Sequence, residues 1–294
     1  MTRRSRAEAT LFLTTFIWGG TFVVVKLALV DVSPVLLVAA RFTLAALILL
    51  AIAGRRLFPI ERKMLGQGCI LGFLLYLGFV LQTVGLNHTT TAKSAFITGL
   101  MVIFTPLFQL LIEKRAPKAA NIAGVTIVTT GLWFLTSPAG DAVTSGFSIG
   151  DALTLLCAVV FGLYIVLLGI YSMNRDVIRL TFVQLLVPAV LGWISLPLLE
   201  TPVWRTTPGT LTALLYLAIL ANLLTLYVQT RYQRDTTPTR AAIIFTVEPL
   251  WAAILGYLVL GERMGSAAML GGAMIIAGIL VSELSDPKEV SKKE

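Results

Sequence analysis

Most ionisable side chains of this sequence stand in short connections between apolar runs, so the few inside the runs are read first. Glu248 lies in Ile243-Ile244-Phe245-Thr246-Val247-Glu248-Pro249-Leu250-Trp251, about two turns from the inner end of its run and too deep to reach the surface easily. Pro249 carries no N–H, so the carbonyl of Phe245 loses its intrahelical partner and the helix is expected to kink there. Pro106 is expected to kink the matching run of the first half, about one turn out of register with Pro249. A carboxylate beside a freed carbonyl makes a polar notch suited to a substrate amine or to a proton. The alternative is a buried carboxylate that is protonated, or tied to Arg41 or a neighbouring helix. An intramembrane charge costs at least about 2.5–3.5 kcal/mol at a helix centre, so it faces either a cavity or a partner.

Lys26 and Arg41 are the other two charges inside apolar runs. Both fall toward the outer third, where long side chains snorkel, and anchoring or charge coupling is expected of them, with Asp31 as a ready partner. A substrate site needs mostly apolar walls and a few placed polar groups. The residues expected to supply one are Trp18, Tyr76, Gln82, Thr98, Tyr164, Asn222 and Glu248, with Phe161, Thr105, Gln109 and Gln229 as further candidates. Against each stands the plainer reading that a lone Gln or Thr bonds a neighbouring helix or its own backbone. His88, the single histidine, is read as a solvated loop residue.

Several chemistries are excluded by what is missing. One histidine and two separated cysteines, Cys69 and Cys157, cannot make a zinc site of ordinary spacing. No G-x-S-x-G elbow and no Walker A sequence is present. The chain is therefore not expected to be an enzyme or an ATP-driven pump, and no metal or cofactor is expected. An intramembrane enzyme without these motifs and a channel-like pore remain alternative readings.

These residues must be positioned by helices in lipid. Of 294 residues, 57% are apolar and only 13% charged, with a mean hydropathy of +0.88, against roughly 25% charged in soluble domains. Apolar runs bounded by charge, Pro or Gly predict ten spans of the length a bilayer requires. They are Ala9 to Leu29, Pro34 to Ala53, Met64 to Leu86, Ser94 to Ile112, Ala119 to Leu135, Ala152 to Tyr171, Leu180 to Leu199, Gly209 to Thr230, Ala241 to Leu260 and Ser266 to Leu284. With the N-terminus inside, eighteen Lys and Arg fall in inner segments and three (Lys93, Arg205, Arg263) in outer ones. That asymmetry places both termini in the cytoplasm. The formal charge of +8 is thus topology and not a nucleic-acid surface. Arg3, Arg4 and Arg6 ahead of the first run resemble a signal-peptide start, but the run is too long for one and is expected to stay uncleaved.

The two halves carry the same marks 147 residues apart: Gln82-Thr83 and Gln229-Thr230, Lys93-Ser94-Ala95 and Arg240-Ala241-Ala242, Gly124 and Gly271, Gly131 and Gly278. Five spans per copy is an odd number, so the second copy enters the membrane inverted, which places a substrate site near the midplane between halves. The chain resembles the drug/metabolite transporter superfamily, specifically proteins built from two EamA-type domains. The stretches that carry the resemblance are Trp18-Gly19-Gly20-Thr21-Phe22 with Lys26, Ala40-Arg41-Phe42, Ser94 to Leu100 with Thr105-Pro106, Gly150-Asp151, Phe161-Gly162 with Tyr164, Thr246-Val247-Glu248-Pro249, and Leu260-Gly261-Glu262-Arg263. The resemblance implies a ten-helix inverted-repeat fold and export of amino acids, other metabolites or toxic organics.

The expected organisation is an all-α integral membrane protein of ten transmembrane helices in two inverted five-helix repeats. Residues 1–8 form a cytoplasmic tail, 9–136 the first repeat, 149–284 the second and 285–294 a second cytoplasmic tail. The partners expected are a small-molecule substrate and the lipid bilayer of the cell membrane, with no nucleic acid. Gly124 with Gly131, and Gly271 with Gly278, sit seven apart on one helix face, so the fifth and tenth spans are read as a packing scaffold or a homodimer face.

Overall fold

The computed structural model describes residues 2–114, 116–136, 148–260 and 266–284. The Leu260-Gly261-Glu262-Arg263 motif from Gly261 onward, the segment joining the two halves and the C-terminal tail lie outside them. Helix follows helix: α1 (Arg3–Ala28), α2 (Pro34–Ala53), α3 (Arg62–Asn87), α4 (Thr91–Gly99), α5 (Met101–Glu113), α6 (Ala119–Thr136), α7 (Ile149–Tyr171), α8 (Val177–Leu199), α9 (Pro208–Leu215), a π-helical stretch (Tyr216–Leu224), α10 (Thr225–Tyr232), α11 (Pro238–Phe245), α12 (Glu248–Leu260) and α13 (Ser266–Leu284). Among the described residues eight helical segments are long and apolar enough to cross a membrane, and two shorter apolar helices, Ala119–Phe134 and Met269–Ser282, accompany them. The protein is an all-α membrane protein.

Helix starts are written into the connections. Hydroxyls of Thr2, Thr90, Ser148, Thr207 and Thr237 each accept a backbone N–H three residues on, satisfying an otherwise orphaned donor of the first turn. At Ser148 the bond is reciprocal, because Asp151 accepts the Ser148 N–H. Pro34, Pro208 and Pro238 stand in the first turn of their helices, where a missing N–H is harmless.

Two spans are interrupted rather than kinked. α4 and α5 break at Leu100, and α11 and α12 at Thr246–Val247. Short i→i+3 bonds close both gaps: Leu100 N–H to Ile97 O, Thr246 N–H to Ile243 O and Val247 N–H to Ile244 O. Pro249 sits in the first turn of α12 and so follows its break. Pro106 does not mark the break in its own span: α5 runs through it, and the interruption lies six residues earlier. The break positions themselves are 147 apart, Leu100 and Val247, as are the starts of α5 and α12 and of α6 and α13.

Packing follows the same correspondence. α3 and α5 pack on α7 as α10 and α12 pack on α1; α4 meets α12 as α11 meets α5; α2 packs on α8 and α6 on α13. At the last contact a Cβ on Gly124 or Gly278 would lie 2.9 Å from the other's carbonyl oxygen, and one on Gly131 would lie 2.8 Å from that of Gly271. The glycine faces of α6 and α13 therefore meet within one chain and serve as a packing scaffold there.

Candidate functional site

At the centre of the bundle lies a cavity of about 50 Å³, small beside the roughly 300–1,000 Å³ of pockets that enclose a ligand. α1 turns Trp18 and Thr21 toward it; α3 presents Leu75, Phe79 and Gln82 from one face; α7 adds Phe161, Tyr164 and Ile165; α10 adds Leu226 and Gln229. The two helix breaks complete it with Thr98 and Met101 on one side and Phe245 and Glu248 on the other. Ten of these lining residues form five pairs at the 147 offset: Trp18 with Ile165, Phe79 with Leu226, Gln82 with Gln229, Thr98 with Phe245, and Met101 with Glu248.

The hydrogen bonds of the lining are unevenly spent. Trp18 donates Nε1–H to Ala221 O (3.2 Å), Tyr164 its hydroxyl to Gln184 Oε1 (2.8 Å) and Thr21 its hydroxyl to Trp18 O (2.6 Å). The amide nitrogen of Gln82 points at Thr98 Oγ1 (3.3 Å) and that of Gln229 at Gln233 Oε1 (2.8 Å). Glu248 is 8% exposed and has no hydrogen-bonding or ion-pair partner among the described residues. It opens α12, where a negative side chain complements the helix dipole. Behind the lining, the Cys157 thiol rests against Thr98 in the field of Glu248.

Five of the seven expected substrate residues, Trp18, Gln82, Thr98, Tyr164 and Glu248, thus meet at one cavity. Tyr76 does not, because Leu75, Phe79 and Gln82 define the facing stripe of α3 and Tyr76 lies off it. Asn222 is fully buried away from the cavity and accepts from Arg41 Nε at 3.1 Å and also from its Nη2. Arg41 neither snorkels nor pairs with Glu248: it is 1% exposed and stacks on Phe79 with its guanidinium carbon 4.6 Å from the ring centroid. Lys26 bypasses Asp31 and reaches across to the end of α3, donating to Leu86 O (2.8 Å) and Thr89 O (2.9 Å). A cation there meets the negative end of the α3 dipole.

Sequence reasoning missed Thr21, Leu75, Phe79, Met101, Ile165, Leu226 and Phe245. The offset contained three of them: adding or subtracting 147 from Trp18, Thr98 and Glu248 gives Ile165, Phe245 and Met101.

The helices around the cavity form two sets related by the 147 offset, α3, α4, α5 and α7 in one and α1, α10, α11 and α12 in the other, and the sets also pack on each other through α4 with α12 and α5 with α11. Within the first, Lys93 Nζ reaches Asp151 at 2.7 Å and Thr89 donates to the same carboxylate. Within the second, Arg240 reaches Glu8 at 3.2 Å and Thr236 donates to it. Thr89 and Thr236, like Lys93 and Arg240, are 147 apart, so each group carries the same brace at opposite ends. Between the groups, Lys26 closes the end away from the chain termini. At the terminal end, Thr239 donates to Gln109 Oε1 (2.6 Å) and Gln233 to Ile165 O (2.6 Å). Beyond these bonds a polar cleft of about 770 Å³ opens at the terminal end, lined by Arg4, Gln109, Glu113, Lys118, Arg234 and Arg240 among others.

The model of the EamA-like transporter family matches residues 5–137 and again residues 148–284. The chain belongs to that family and is a membrane transporter, not an enzyme. An uncharacterized transporter of Archaeoglobus fulgidus is 29% identical over 96% of this chain and 87% of its own length. The S-adenosylmethionine/S-adenosylhomocysteine transporter of Chlamydia muridarum is 25% identical over 91% of this chain and 88% of its own. A solved crystal structure superposes with a TM-score of 0.79 over 96% of this chain and 98% of its own, at 20% identity, which speaks to the fold alone.

Proposed function

We propose that the protein is a secondary transporter of the cell membrane that exports small metabolites by alternating access. Its ten spans form two inverted five-span halves, and its termini are cytoplasmic. One observation carries this reading: the cavity is lined by pairs of residues from equivalent positions of the two halves. A wall of that kind is the same whichever half moves, so exchanging the conformations of the halves re-exposes one site to the other face. The two braced helix groups supply the rigid bodies. The hydrogen bonds of Lys26 at one end, and of Gln109 and Gln233 at the other, supply seals that open in turn.

The test is reconstitution into proteoliposomes with a screen of labelled metabolites for counterflow. Saturable uptake that is accelerated by unlabelled substrate on the opposite side is expected, and Trp18→Ala should lower it while leaving the yield of folded protein unchanged. Uptake that rises linearly with concentration, with no acceleration from the opposite side, would mark a pore instead. Reporters fused after Arg175 and after Ser282 should both read cytoplasm, and one placed between residues 139 and 145 the outside.

A further inference from the structure

The central cavity is richer in free acceptors than in free donors. Trp18, Tyr164 and Thr21 have each spent their donor hydrogen on a protein oxygen, and the amide nitrogens of Gln82 and Gln229 are directed at protein oxygens as well. Left facing a ligand are the carboxylate of Glu248, which no described residue partners, and the amide oxygens of Gln82 and Gln229, neither of which accepts a hydrogen bond from a described residue; the donors that remain are the second amide hydrogen of each glutamine and the Thr98 hydroxyl. Five aromatic side chains complete the walls: Trp18, Phe79, Phe161, Tyr164 and Phe245. Their ring faces are the negative ends of quadrupoles, which attract alkylated or protonated nitrogen. No basic residue lines the cavity. Lys26 is occupied by Leu86 O and Thr89 O, and Arg41 by Asn222 and the Phe79 ring.

We infer that the transported solute is an organic cation, its charged nitrogen seated between Glu248 and the ring faces. An ionised carboxylate in so apolar a site costs heavily unless it is neutralised; no described residue does this, so a proton serves while the site is empty and an arriving cation takes the proton's place. Inorganic cations are a poor match. One carboxylate and two amide oxygens fall short of the six to eight oxygens that a hard divalent ion requires, and no group of three or more His, Cys, Asp or Glu gathers anywhere among the described residues. Anions are opposed, since the lining sets the carboxylate against them and offers only the neutral donors of Gln82, Gln229 and Thr98, with no basic residue among the lining. The inference rests on the central cavity being the transport site and adds the charge of what it takes.

Three solutes of nearly equal size isolate that charge: benzylammonium, benzyl alcohol and benzoate. Binding to the purified full chain in detergent is read from quenching of tryptophan emission, since Trp18 lines the site. Benzylammonium is expected to bind at least tenfold more tightly than benzyl alcohol, and benzoate not at all. Glu248→Gln should abolish the preference and Glu248→Asp should keep it, so a failure of the first variant to fold leaves the second, with the native protein, to decide. Equal or tighter binding of benzoate overturns the inference, as does a preference that survives in Glu248→Gln. The two proposals fail separately: cation-selective binding without counterflow would sink the transport reading alone, whereas counterflow of a neutral or anionic metabolite with no benzylammonium binding would sink only the cation.

Discussion

Arg41 is a fully buried guanidinium whose only hydrogen-bonding partner among the described residues is the side-chain oxygen of Asn222, supplemented by the faces of Phe79 and Phe42. A charge so placed depends on each of its few contacts, because no water replaces a lost one. Asn222→Ala should therefore cost about 1.5–3 kcal/mol, the range for a hydrogen bond to a charged group. The double variant Arg41→Met with Asn222→Leu should cost less than Asn222→Ala alone, because it removes the stranded charge together with its acceptor. Thermal unfolding of the three proteins in one detergent checks the order. A double variant less stable than the single would mean that Arg41 is held chiefly by packing. Because Phe79 faces the cavity on one side of this arrangement, the same residues also fix a wall of the candidate site.

At the scale of elements, the α6–α13 contact is set by glycine. A Cβ on Gly131 would stand 2.8 Å from Gly271 O and 2.9 Å from the Met274 Cβ, whereas one on Gly66 of α3 meets nothing within 4 Å. Gly131→Ala should push the two helices apart at a cost of about 1–3 kcal/mol, as overpacking does. Gly66→Ala should instead be neutral or stabilising by up to about 1 kcal/mol, through helix propensity alone. Melting temperatures moving in opposite directions are the expected result; a loss of similar size at both positions would show that the contact is not what limits substitution. Both positions were plain in the sequence as glycines in apolar runs, but only their surroundings separate them. The spacing of seven identified a packing face correctly and could not say whether the face meets the same chain or a second one.

The sequence made the class of the whole molecule legible, since long apolar runs separated by short charged connections follow from the bilayer acting as solvent. Seven residues of the cavity lining were legible because polar or aromatic groups are conspicuous in such runs. Tyr76 and Asn222 were equally conspicuous, and their directions were not, because a helix face is fixed by neighbours and a one-residue step turns a side chain by about 100°. Lys26 was misread for the same reason: its position suggested a loop partner, whereas its reach ends on the carbonyls of another helix. That contact bears on the transport cycle as a whole. Lys26 ties the two helix groups at the end away from the termini, and Gln109 with Thr239 ties them at the terminal end. If these are alternating seals, loosening one should bias the protein toward opening there. Lys26→Met, which installs the residue found at the equivalent position Met173, removes two charge-assisted bonds worth about 1–2 kcal/mol together after solvation of the freed groups, a roughly 5- to 30-fold shift in population. Gln109→Ala should shift it the other way. The native Cys157, buried on α7 about two turns from its Ile149 end, reports the outcome in a Cys69→Ser background. A membrane-impermeant maleimide added from that side should label Cys157 faster in Lys26→Met and more slowly in Gln109→Ala than in the parent. Labelling that rises in both variants would indicate general loosening rather than opposed seals, and unchanged labelling in Lys26→Met would remove Lys26 from the gate.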